Sequence, residues 1–198
     1  MRFPRLEALQ TYHRNLAMMV ARTSWFPNKT TVERLGGTAF PTLRRKAKSP
    51  IFSYMEEGEM AVAMFDDNVT PEWAIAWAHG LQGTRPKGWT IAHVWPTSED
   101  RHSYTHLANL AMVPEAFGSL TDKKGPLTGF LQWHAWRTYG WKPEHKGVPE
   151  KPDCFDEVEW RYLPAVDDPK KMIREEFNRR NNERTRKLRP IMERLGML

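Results

Sequence analysis

An α+β fold is expected from three observations. Short apolar runs alternate with a period of two, longer apolar runs recur at helical spacing, and the turn residues between them follow no repeat. The strand-like runs are IFSYM and MAVAMF, separated by EEGE around Gly58, and Trp89 to Trp95. In the last of these Trp89, Ile91, His93 and Trp95 share one face, and Thr90, Ala92 and Val94 the other. The chain has 198 residues, 40% of them hydrophobic, with nine Trp and nine Phe, which suffices for one domain with a core of its own. Domain assignment follows the composition: residues 1–168 form a single α+β domain, and 169–198 a basic helical tail.

In chain order, residues 4–21 read as an amphipathic helix, with Pro4 in the first turn and Leu9, Tyr12, Leu16, Met19 and Val20 at helical spacing toward the core. Residues 24–50 hold three Pro, a Gly pair and the cluster Arg44, Arg45, Lys46 and Lys48, a loop composition with short ordered pieces. The two runs around Gly58 predict a hairpin. Thr70 as N-cap and Pro71 at the first helical position then open a short helix that carries Trp73 and Trp77 on one face and stops at Gly80. Beyond the strand at 89–95 comes a polar loop to Leu107. The apolar run Asn109–Val113 can pair back, and a helix start follows at Pro114 with Gly118 near a break. Pro126 begins a stronger helix with Leu127, Leu131, Ala135 and Tyr139 on one face, ended by Gly140. Residues 140–156, with three Pro, are a surface loop, and VEWRYLPAV is a short strand. In the tail, Met172, Ile173 and Phe177 dock one amphipathic turn, and 178–187 has no apolar side chain. Leu188, Ile191, Met192 and Leu195 resume helical spacing, with Pro190 an interruption or restart.

Charge is unevenly placed. The formal net charge is +6, and residues 170–198 alone carry ten Lys/Arg against four Glu, so the body is formally neutral. Such a tail fits phosphate backbones, through Arg179, Arg180, Arg184, Arg186 and Lys187, and equally fits an acidic protein surface. The single cysteine, Cys154, excludes an intrachain disulfide framework and reads as structural. No apolar run approaches a membrane span and the N-terminus lacks a signal peptide's apolar stretch, so a cytoplasmic protein without membrane contact is expected. No phosphate-binding Gly-rich loop or GxSxG elbow is present.

The order Ala92-His93-Val94-Trp95-Pro96, a polar loop, Asn109-Leu110 and a helix start at Pro114 resembles the HNH endonucleases, the ββα-metal nucleases. The resemblance spans residues 89–122, about a sixth of the chain. It implies a ββα-metal (HNH-like) core embedded in additional helices, with the basic helical tail extended from it. It also implies a metal-dependent endonuclease acting on DNA, with His93 as general base, Asn109 bracing the loop, a divalent ion (Mg, Mn or Zn) as cofactor, and, for double-strand cuts, a homodimer.

The chain departs from that family in two places. Ala92 stands where it places a metal ligand before the base, and Ala116, Phe117, Gly118 and Ser119 stand where its helix offers Asn or His. The substitute ligands on offer are Asp66, His102, His106 and Asp122; His102 and His106, four apart, would share a face if their loop formed a helical turn. Against the nuclease stand two other readings: a non-catalytic nucleic-acid-binding module on a degenerate scaffold, and an assembly protein whose tail docks on an acidic partner.

Overall fold

The computed structural model describes the chain except for residues 1–5, 45–50, 57–58, 67, 84, 98 and 122–125. Helix α1 (Leu6–Thr23) buries its small side chains: Ala17, Val20 and Ala21 face inward, whereas Leu9, Tyr12 and Met19 are exposed. The stripe expected in the core is therefore mostly on the surface, because two alanines let α1 lie close to the rest of the protein where a leucine ridge would hold it away. Helix α2 (Lys29–Leu35) falls in the segment read as loop. Asn28 caps it, its Oδ1 accepting from Thr30 N at 3.0 Å, and Gly36 at φ 69° ends it.

Strands β1 (Thr42–Leu43), β2 (Ile51–Glu56) and β3 (Glu59–Phe65) form a sheet in the order β1-β3-β2, with β1 parallel to β3. The predicted hairpin is the β2/β3 pair, in register from Ile51 opposite Met64 to Glu56 opposite Glu59. Helix α3 (Val69–Ala78) is buried on nearly every side, from Trp73 to Ala78 without interruption, as an all-round apolar helix has to be. Its N-cap is Asn68, not Thr70; Thr70 lies inside the helix and both its N–H and its hydroxyl donate to Asp66 Oδ2, at 2.8 and 2.9 Å.

Strand β4 (Trp89–His93) pairs antiparallel with β5 (Leu110–Pro114), His93 opposite Leu110 and Trp89 opposite Pro114. Between them lie the short helix α4 (Arg101–Tyr104) and a 3-10 turn at Leu107–Asn109. Helix α5 (Glu115–Thr121) follows β5 directly. The alternation holds: Ala92, Ala111 and Val113 pack with Val20, Phe26 and Leu131, while Trp89, Ile91, Leu110 and Met112 pack with the α3 tryptophans. Gly118 is no break but a contact point inside α5, where a Cβ would come 2.8 Å from Thr90 Cγ2. Strand, strand and helix thus appear in the order the sequence suggested.

Helix α6 (Pro126–Tyr139) buries Leu127, Leu131 and Ala135 and ends at Gly140, φ 65°, as expected. VEWRYLPAV reduces to a single bridge between Tyr162 and Phe26. The tail is not extended. Helices α7 (Pro169–Arg179) and α8 (Glu183–Arg194) fold back, and Ile173, Phe177, Leu188, Ile191 and Met192 share one core cluster with Phe40, Trp73 and Trp77. The polar stretch 178–187 holds the elbow between them, residues 180–182, closed by a reciprocal cap in which Thr185 N donates to Asn182 Oδ1 at 2.9 Å and Asn182 N to Thr185 Oγ1 at 3.1 Å. Pro190 lies inside α8 without ending it. Among the described residues no helix is long and apolar enough to cross a membrane.

Two outcomes test this packing. Phe177 is fully buried, so Phe177→Ala is expected to cost about 3–5 kcal/mol in urea unfolding, which an appended tail would not show. Burial pulls the imidazole of His79 down to about 4, only partly opposed by its bond to the Ile75 carbonyl. The unfolded chain protonates near the ordinary value of 6.5 and the folded one near 4, so stability is complete above pH 6.5 and falls as pH drops through that window. By pH 5 the His79 share is about 2 kcal/mol. Unfolding midpoints at pH 7 and pH 5, compared in the native protein and in His79→Gln, measure it.

Candidate functional site

The end of β4 carries His93, half-buried, with its ring stacked on that of Tyr104 at 5.2 Å between centroids and 9° between planes. His93 Nε2 lies 3.0 Å from the Tyr104 carbonyl oxygen. A carbonyl only accepts, so Nε2 carries the proton and, in the neutral ring, Nδ1 carries the lone pair. The carbonyl therefore selects one tautomer and one ring orientation.

Asn109 holds the loop that supplies this carbonyl. Fully buried, it accepts from Trp95 N on Oδ1 at 2.7 Å and donates through Nδ2 to the Ser103 carbonyl at 2.9 Å. Its backbone oxygen also accepts from Val94 N at 2.8 Å. One side chain thus joins the exit of β4 to the residue before Tyr104, the bracing role the sequence suggested for it.

Tyr104 is fixed at its other end as well. Its hydroxyl lies 3.2 Å from Asp66 Oδ2 and from Asn68 Oδ1, and accepts from Asn68 N at 3.0 Å. Burial, and then the Asp66 charge, raise this phenol above its ordinary range, so it stays protonated. The Asp66 side chain has no exposed surface, and its Oδ1 is ion-paired with Arg184 of α8.

These contacts decide the fate of the candidate metal ligands. Asp66 is occupied by Thr70, Tyr104 and Arg184 and is a helix-capping and ion-pairing carboxylate. His106 accepts from Ala108 N on Nδ1 at 3.2 Å, stacks on Trp141 at 4.4 Å, and is lowered to about 4 by burial. His102 is exposed, and α4 ends at Tyr104, so His102 and His106 do not share a helical face. Asp122 lies outside the described residues. Ala92 is buried and offers no donor atom. Among the described residues no three of His, Cys, Asp and Glu come together as a metal site, so those present do not fit the ion the resemblance implies.

The basic residues divide. Arg184 turns inward to Asp66, and Arg180 lies over Trp77, 5.1 Å from the ring centre, so neither projects outward as a phosphate contact. Arg179 pairs with Glu176 at 2.5 Å and Lys187 with Glu183, both within their own helices; Arg179 is exposed and Lys187 half-buried. Arg186 is exposed. Of the loop cluster, Arg44 is exposed and the other members lie outside the described residues. Sequence reading missed Tyr104 altogether, since a tyrosine in a polar loop carries no spacing signal.

Comparison of the chain with family models, with curated proteins and with solved structures found no match. The brace has its own test. Asn109→Ala leaves the Trp95 N–H and the Ser103 carbonyl without their side-chain partner, at an expected cost of about 2–4 kcal/mol. Urea unfolding measures it, together with faster hydrogen exchange of the Trp95 amide.

Proposed function

We propose that the protein is an HNH-like endonuclease acting on nucleic acid, DNA first, in which His93 accepts the proton of the water that attacks a phosphodiester. The observation that carries this reading is the Tyr104 carbonyl on His93 Nε2, held there by Asn109. It leaves the lone pair on Nδ1, the atom that would take the proton, and keeps the neutral ring from turning. The order β4, braced loop, β5, α5 supports the same reading, as does the resemblance of residues 89–122 to the ββα nucleases.

The substrate class rests on charge. The +6 excess lies in residues 170–198, and the Arg184–Asp66–Tyr104 contacts bring α8 to within two side chains of His93. Arg179 and Arg186, which are exposed, and the half-buried Lys187 suit a phosphate backbone.

A second reading is favoured by a specific observation: Ala92 and the committed side chains of Asp66 and His106 leave the implied metal without a ligand set among the described residues. On that reading the scaffold binds nucleic acid and does not cut it.

One assay separates the two. Native protein and His93→Ala are incubated with supercoiled plasmid in Mg²⁺, Mn²⁺ or Zn²⁺, and binding is measured across a salt series. Cleavage by the native protein, reduced at least about 100-fold in His93→Ala, supports the nuclease. Salt-dependent binding without cleavage under any metal supports the second reading, and equal cleavage by both proteins removes His93 from the mechanism.

A further inference from the structure

We propose that Tyr104, clamped by Asp66 and Arg184, is the positioning residue that presents His93, which makes helix α8 part of the site. The inference rests on the reading of His93 as the proton acceptor, and it is built from contacts that join three separate stretches of the chain, 66–70, 93–104 and the start of α8.

Tyr104 meets His93 twice, through a near-parallel ring stack at 5.2 Å and through its carbonyl at 3.0 Å from Nε2. The stack restrains the plane of the imidazole and the carbonyl its rotation within that plane. Both depend on where Tyr104 sits, and the far end of its ring is fixed by Asp66 Oδ2 and Asn68. Both oxygens of Asp66 are engaged in turn. Thr70 holds Oδ2 with two donors, and Arg184 holds Oδ1.

Arg184 stands in the first turn of α8, next to the Asn182–Thr185 cap and on a helix anchored by Leu188 and Met192. Had Tyr104 only filled space, a phenylalanine would serve. Burying a hydroxyl beside a fully buried carboxylate carries a desolvation cost that packing does not require. That cost is offset only by the bonds that fix the ring. The only cation in this chain of contacts, Arg184, thus comes from the stretch most distant in sequence and reaches Tyr104 through Asp66.

The test reads His93 directly. Nitrogen-15 shifts of its ring at neutral pH report the tautomer in the native protein, in Tyr104→Phe, in Arg184→Lys, and in the double variant Asp66→Asn/Arg184→Gln, which removes the ion pair without stranding a buried charge. Thermal unfolding confirms that each is folded. The expected result is a single Nε2–H tautomer in the native protein and in Arg184→Lys, and a mixture in Tyr104→Phe and in the double variant. If the native protein cleaves DNA, the latter two lose about 10- to 100-fold in kcat with KM unchanged.

Folded Tyr104→Phe and double-variant proteins that keep the native tautomer overturn the proposal. A tautomer change in a protein that cleaves no DNA upholds the positioning and refutes the nuclease reading instead. Should the double variant not fold, Tyr104→Phe, which keeps the ring and the backbone carbonyl, decides alone.

Discussion

A carboxylate with no exposed surface has to have every lone pair answered, and Asp66 is such a group. Thr70 answers from the first turn of α3, Tyr104 from the loop between β4 and β5, and Arg184 from α8. Removing any partner would leave charge or hydrogen-bonding capacity buried and unmet, so the three elements are held in one arrangement. The β1-β3-β2 sheet, the connection from β4 to β5 and the C-terminal helices meet at this residue, which lies just beyond the end of β3.

The aromatic core does the complementary work without direction. Trp73 and Trp77 stack at 4.6 Å, Phe40 meets both edge-on, and Phe177 and Arg180 bring α7 onto the same cluster. This explains why a segment with net +6 folds back instead of projecting. Its apolar residues, few as they are, sit at helical spacing and find a broad aromatic surface, and one of its arginines covers a tryptophan face that would otherwise meet water.

The site contrasts a strong frame with an incomplete ligand set. Asn109 and the Tyr104 carbonyl leave His93 one tautomer, while the side chains that seemed able to hold a metal serve other purposes: Asp66 in an ion pair, His106 in a backbone bond and an aromatic stack. Donor atoms already used for folding cannot be counted as ligands, and a list of His and Asp residues does not say which are used.

Periodicity and turn chemistry are local properties, and what depends on them was legible in the sequence. The β2/β3 hairpin, the alternation of β4, its pairing with the run after Asn109 and the α6 helix ending at Gly140 all follow from side chains within a few residues of one another. So does the bracing asparagine, because Asn109 bonds to backbone groups of its own loop. Helix α2 carried a readable Asn28 cap and Gly36 stop that the proline-rich composition around it obscured. Burial of α1 by its alanines, the return of the basic tail and the commitment of Asp66 to Arg184, 118 residues away, depend on which surfaces meet. No local pattern encodes such meetings. They are decided by the joint packing of the aromatic cluster and by the need to neutralise one buried charge, and only the tertiary structure shows them.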